Sequence, residues 1–426
     1  MTGRVSATLR GFAELGRPTQ VLLIAELSFN LGFSMLVPFL AVFLSDELGY
    51  PAWLVGLLLG LRVLSQQGLF VIGGSVADRL GYRPVILVGC GVRTVGFGLF
   101  CVVDSLPGVV VAILATGFAA ALFSPAGQAY LALESGQRRV TAFALLNVAA
   151  QIGALTGPLI GVALLAVDFR LVAAAAAATF LLIGLLLARY LPARAGVEAG
   201  AEGSVLGDWR VALGHRDFVR LAVVMAGYAV LLHQLYLAIP LRVQSATGQQ
   251  SATGVVFAVS SLVFILGQAA LVRWAGQRWP PGRSITVGLA LMAAAFGPLL
   301  AESLLSGVTG PAPAWVSLAV VGTAVVVLTV GVMLAQPFAL DQVARLSGDR
   351  RVGTYYGLYY LAGALAVVAG NGAGGLAVDL VDAGAPPLLP WAMFLLIGAA
   401  ATAGARWLHR SGRLAEPARS AAGRHG

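Results

Sequence analysis

The sequence predicts an all-α integral membrane protein whose twelve transmembrane helices form two pseudo-symmetric six-helix bundles. Three observations predict it. The 426-residue chain is 59% hydrophobic and only 11% charged, with a mean hydropathy of +0.89; a soluble chain carries roughly 25% charged residues. Its apolar residues gather into twelve runs, each about the 20 residues that cross a bilayer. A segment ending the fourth run also recurs at the end of the tenth.

The runs follow in order. The first, 20–44, is too long for a cleaved signal peptide and lacks a small-residue cleavage site. It carries Glu26, Asn30 and Phe33 at i, i+4 and i+7, hence on one helix face. The second, 53–76, contains Arg62, Gln66 and Gln67. The third, 85–104, contains Arg93 and both cysteines, Cys90 and Cys101. A helix separates those cysteines by about 16 Å, too far for a disulfide. The fourth, 108–132, holds Gln128 and ends beside Glu134; the fifth, 141–167, holds Asn147 and Gln151; the sixth is 171–191. The seventh, 218–241, carries His233, Gln234, Tyr236 and Pro240. The eighth and ninth are 253–275 and 285–305, and the tenth, 315–340, contains Gln336. The eleventh, 353–378, has a stripe of Tyr355, Tyr356, Tyr359 and Tyr360, then Asn371; the twelfth is 388–409. Proline and glycine within the runs are compatible with membrane helices.

Between the sixth and seventh runs, residues 192–216 mix Ala, Gly, Glu and Arg without an apolar period. The expected organisation is a cytoplasmic tail (1–19), a first bundle (20–191), a cytoplasmic linker (192–216), a second bundle (217–410) and a second tail (411–426). Orientation follows from the cations, which concentrate on the cytoplasmic side of membrane proteins. All 27 are arginine, and with the N-terminus inside, 23 fall in tails and inner turns. Arg170 and Arg242 alone fall in outer turns, and Arg62 and Arg93 lie within spans. The net charge of +9 is therefore a topology signal, not a nucleic-acid surface. Arginine without lysine, with abundant Ala and Gly, points to a GC-rich bacterial genome.

The halves repeat. Residues 124–140, SPAGQAYLALESGQRRV, and 336–352, QPFALDQVARLSGDRRV, agree at seven of seventeen positions at an offset of 212. Internal repeats mark transporters built by duplication. The turn after the second run reads Gly74-Ser-Val-Ala-Asp78-Arg79-Leu-Gly81-Tyr-Arg83. It resembles motif A of the major facilitator superfamily, with Tyr82 where an arginine is usual. Gly153, Gly157, Pro158 and Gly161 in the fifth run resemble motif C of that superfamily's exporters. The arginine of motif B is absent, Ile113 standing in its place. LGLRVLSQQGL, GVRTVGF, DFRLV and LPWAMFLLIG are similar to segments of MdtH-like multidrug exporters of the drug/proton antiporter group. The resemblance implies the major facilitator fold and antiport by alternating access. It also implies a latch in which Asp78 faces a helix N-terminus, worth roughly 0.3–1 kcal/mol. Arg79 and Arg83 would belong to its charge network, and Glu134 is a possible partner.

Ionisable groups inside a membrane are costly and usually functional. Glu26 is the carboxylate well inside an apolar run, and the expected carrier of the coupling proton; His233 is the other titratable candidate. The expected substrate cavity is lined by Glu26, Asn30, Phe33, Arg62, Gln66, Arg93, Gln128, Asn147, Gln151, His233, Gln234, Tyr236, Gln336, Tyr359 and Asn371. Two arginines against one carboxylate hint at anionic or zwitterionic substrates. Zinc, prenyl-diphosphate and serine-elbow motifs, and a P-loop, are missing from the sequence. The expected protein is therefore a proton-driven, cofactor-free exporter of small amphipathic compounds. Its expected partners are its substrate, protons and lipids, and it is expected to act as a monomer. A dedicated metabolite exporter is the alternative, and an uptake symporter a more distant one.

Overall fold

The computed structural model describes residues 15–70, 73, 76, 77, 80–135, 139–192, 205–249, 251–310, 312–347 and 352–414. Among them every regular element is helical. In chain order these are α1 (Arg17–Val42), which a wider turn extends through Phe43–Glu47, α2 (Ala52–Gln67), α3 (Tyr82–Leu99), α4 (Leu106–Glu134), α5 (Arg139–Leu165) and α6 (Phe169–Tyr190). The second half contains α8 (Arg216–His233), α9 (Ala238–Thr247), α10 (Ser251–Arg278), α11 (Pro281–Ala294), α12 (Gly297–Thr309), α13 (Ala314–Leu346), α14 (Val352–Asp382) and α15 (Leu389–Arg410). Between the halves, α7 (Val205–Gly214) forms within the stretch read as linker, and its Ala212 is fully buried against the second half.

Ten helices among the described residues are long and apolar enough to cross a membrane. The second and third runs carry the shorter α2 and α3, of 16 and 18 residues. Large apolar side chains stand exposed along the length of the protein, among them Leu182, Leu266 and Leu396. A soluble monomer rarely leaves so much apolar surface uncovered; here it is the lipid-facing belt.

Helix ends follow local chemistry. Proline opens α1, α4, α11, α12 and α15, where its missing N–H costs nothing. Asp168 caps α6 by accepting from the Arg170 amide at 2.6 Å. Gly81, with φ +88°, turns the chain into α3.

The seventh and ninth runs are each broken. Pro240 cannot donate to the Tyr236 carbonyl and its ring crowds that position. Residues 234–237 tighten into three-residue turns, and Ile239 reaches back to the Gln234 carbonyl at 3.0 Å. Pro298 does the same to the ninth run, which is interrupted at Ala295 and Phe296.

The core is double. One apolar cluster runs from Leu15 to Leu191 and takes in Leu237 from the second half, and another runs from Ala212 to Leu414. A small cluster of Val63, Ala229, Ala364 and Val367 joins them. Glycines set the closest helix pairs, as in membrane bundles generally. A β-carbon at Gly153, Gly157 or Gly161 of α5 would collide with the carbonyl of Leu27, Leu31 or Met35 of α1 respectively. Between halves, Gly56 and Gly60 of α2 lie on the backbone of Asn371 and Val368 of α14.

Candidate functional site

Helices α1, α2, α3 and α8 bring the intramembrane polar residues together. Asn30 donates from Nδ2 to Glu26 Oε1 at 3.0 Å and to the Glu26 carbonyl at 2.9 Å. That fixes the carboxylate against its own helix. Arg62 and Arg93 are each only 6% exposed. Arg62 Nη1 donates to Gln66 Oε1 at 3.2 Å, one turn along α2. Its guanidinium also lies 5.0 Å from the Phe33 ring centroid.

Arg93 sits inside an aromatic cage. Its guanidinium carbon is 4.7 Å from the Phe29 centroid, 4.8 Å from Phe180, 5.8 Å from Phe97 and 5.9 Å from Phe33. A desolvated cation over an aromatic face gains about 2 kcal/mol or more. Glu26 attracts Arg93 and Arg62 repels it. The Nε atoms of both arginines are buried without a hydrogen-bond partner among the described residues. The cluster therefore holds two cationic side chains and one carboxyl group, with donors left over.

The second half contributes the break after α8. His233 Nδ1 lies 2.7 Å from the Ala229 carbonyl; only Nδ1–H fits there, which leaves Nε2 as the acceptor of the neutral ring. Past the break, the Tyr236 ring is 6.3 Å from Phe33, 6.3 Å from His233 and 5.3 Å from Phe257. Tyr236 thus bridges α1 to the second half, within electrostatic reach of Arg62. Gln234 and Asn371, both almost wholly buried, pair through Nε2 and Oδ1 at 3.0 Å and tie the break to α14.

The other residues read as cavity lining differ in burial. Gln128 on α4 and Asn147 on α5 are exposed, and Gln151 and Gln336 are half-buried. Tyr359 packs in the second core against Tyr360. A cavity of about 620 Å³ opens between the halves at the arginine-poor end, lined by Asp46, Ala238, Arg242, Gln244 and Asp379 among others.

Of the motif A residues, Gly74, Asp78 and Arg79 lie outside the described residues. Arg83 Nη2 donates to the Ala188 carbonyl at 2.7 Å, tying α3 to the last turn of α6 within the first half. Glu134 is the last residue of α4. Pro158 of motif C lies inside α5, and its carbonyl faces Gly254 of α10.

Sequence reading passed over two features. The phenylalanine cage was legible in part, since Phe29 and Phe33, and Arg93 and Phe97, are spaced i, i+4 on their helices. Glu302, which by sequence sits near a helix end, is only 7% exposed. It accepts from Arg242 at 2.7 Å and from the Ser317 hydroxyl.

Comparison with known proteins agrees along most of the chain. The Major Facilitator Superfamily profile matches residues 22–371. An uncharacterised MFS-type transporter of Mycobacterium tuberculosis (strain H37Rv) is 41% identical over 409 residues, 94% of this chain and 95% of the relative. The multidrug resistance protein MdtH of Cronobacter sakazakii is 31% identical over 391 residues, 88% of this chain and 90% of that one. Among solved structures, a variant of the nucleoside transporter NupG superposes with a TM-score of 0.80 at 12% identity, covering 92% of this chain and 100% of that one. A peptide transporter POT bound to sulfate gives 0.76 at 16% identity, covering 95% and 98%.

Proposed function

The chain belongs to the major facilitator superfamily of multi-pass membrane transporters, and from that premise we propose that it exports small amphipathic compounds in exchange for protons. The observation that carries the reading is Glu26, a carboxylate held by Asn30 within electrostatic reach of Arg93, on the helix that the motif C glycines grip. The 31% identity to MdtH supports multidrug efflux as the class of activity. The two bundles would rock around the cluster, in the manner of duplicated transporters. The arginine-rich end faces the cytoplasm of a bacterium in this reading, and the chain sits in the cytoplasmic membrane with both termini inside.

Coupling follows from competition. A proton and a cationic amphiphile both need the Glu26 carboxylate, so binding of one expels the other, and expulsion is reciprocal. The proton enters from outside and releases the compound there. The carrier resets inward, and the proton leaves to the cytoplasm.

A second reading is favoured by the unpartnered arginine Nε atoms. An anionic or zwitterionic metabolite would pair with Arg62 and Arg93 and displace the Glu26 carboxylate from them. Binding would then take a proton up rather than release it, which is the sign of symport. The sign of the proton movement separates the two. Adding cationic amphiphiles to the detergent-solubilised protein in weak buffer should acidify the medium under the first reading. Alkalinisation by carboxylate-bearing compounds, with no response to cations, would replace it with the second.

A further inference from the structure

We infer that Asp379 is a latch that holds the two halves together at the arginine-poor end, and that this end opens only when the latch lets go. Helix α2 begins at Ala52 after Pro51, which occupies the N-cap position and offers no side-chain oxygen. The first amides of a helix have no acceptor within it. Asp379 supplies both acceptors from the other half of the chain. The Ala52 amide donates to Oδ1 at 2.7 Å and the Trp53 amide to Oδ2 at 2.8 Å. Both oxygens of one carboxylate are thus spent on the positive end of a helix that belongs to the opposite bundle.

The backbone beneath is built for this contact. Gly375, one turn earlier on α14, rests on the Ala52 carbonyl, and a β-carbon there would also lie 2.7 Å from Trp53 Cα. Gln244 donates to Asp46 at 2.9 Å, a second tie between halves at the same end. Both ties border the 620 Å³ cavity. Opening this end must part α2 from α14 and strip the first amides of α2 of a charged acceptor. Charge-assisted hydrogen bonds are about twice as strong as neutral ones, so the two bonds to the Asp379 carboxylate favour the closed end. Asp379 is a positioning residue, and the inference rests on alternating access but on neither the substrate nor the proton.

The test therefore uses no substrate. In a chain with Cys90 and Cys101 replaced, Ala238→Cys places a thiol in the cavity wall, where Ala238 is 2% exposed. The rate of its alkylation by a charged maleimide in detergent micelles reports opening. Asp379→Asn should raise that rate about tenfold, a shift of ~1.4 kcal/mol in the closed–open balance. Asp382→Asn, an acid lining the same cavity, should leave it unchanged. Pro51→Ser combined with Asp379→Asn gives α2 its own cap while the charged acceptor from the other half stays removed, and it carries the test should Asp379→Asn alone not fold. The latch predicts a raised rate in that double variant. An unchanged rate in Asp379→Asn, or a double variant restored to the wild-type rate, overturns the inference, because Asp379 would then serve only the stability of α2.

Discussion

Gly157 lies in the middle of the glycine stripe that seats α5 on α1, and replacing it by alanine isolates the worth of that contact. The added methyl would lie 2.7 Å from the Leu31 carbonyl oxygen, 2.8 Å from Ser34 Cβ and 3.0 Å from the Met35 amide nitrogen. Carbon contacts are comfortable at about 3.5–4.0 Å, and two of the three neighbours are backbone that cannot rotate away. The helices must part by several tenths of an ångström or strain. Inserting a methyl into a packed site costs about 1–3 kcal/mol. Against this, alanine gains about 1 kcal/mol of helix propensity over glycine. Gly91→Ala on α3 supplies the control, because a β-carbon there meets nothing within 4 Å. The propensity gain is common to both variants, so their difference is the packing term. The assay is thermal unfolding in detergent, read as reaction of the buried Cys90 thiol with a fluorogenic maleimide, Cys101 being replaced by serine. Gly157→Ala should unfold at clearly lower temperature than Gly91→Ala. Equal midpoints would refute the idea that backbone proximity is what the motif C glycines provide.

Two further predictions rest on other contacts. Arg242→Met leaves Glu302 buried with Ser317 as its remaining partner among the described contacts. Stranding one member of a buried pair costs about 3–5 kcal/mol, and the partial exposure of Arg242 puts this case at the low end; adding Glu302→Leu should recover most of the lost thermal stability. Pro240→Ala restores an amide that α8 and α9 lack, so the break at residues 234–237 should close and carry Tyr236 away from Phe33. The loss of Phe33–Tyr236 proximity is measurable by crosslinking Phe33→Cys with Tyr236→Cys, which should fail in the alanine background.

Much of the fold was legible in the sequence because a bilayer allows few solutions. Twelve apolar runs of sufficient length must be helices, since no other open structure satisfies its backbone in lipid. The halving of the chain showed in the repeat ending at Arg138, Arg139 and Val140. The breaks in the seventh and ninth runs did not show, because a proline is tolerated in membrane helices and its effect falls four residues upstream, on a carbonyl rather than on a residue type. The candidate site was legible one residue at a time. Glu26, Arg62 and Arg93 stand out as charges inside apolar runs, whereas the cage around Arg93 needs Phe180 from a helix far along the chain. Asp379 reads locally as one more acid at a helix end. Its two hydrogen bonds reach across 326 and 327 residues of sequence, and no local pattern encodes such a pairing. Glu302 escaped for the same reason, its partners lying 60 and 15 residues away.

The central claim is that Glu26 exchanges a proton for the exported compound. Proteoliposomes loaded with a pH-sensitive dye, carrying wild type or Glu26→Gln, and given a panel of cationic amphiphiles under an imposed proton gradient, test it most directly. Compound-dependent proton flux is expected in wild type and its loss in Glu26→Gln, together with weakened binding of the cationic compound, because both ligands use the same carboxylate. Undiminished, equally pH-dependent flux in Glu26→Gln would contradict the account and move the coupling site away from α1, with His233 the next group to test.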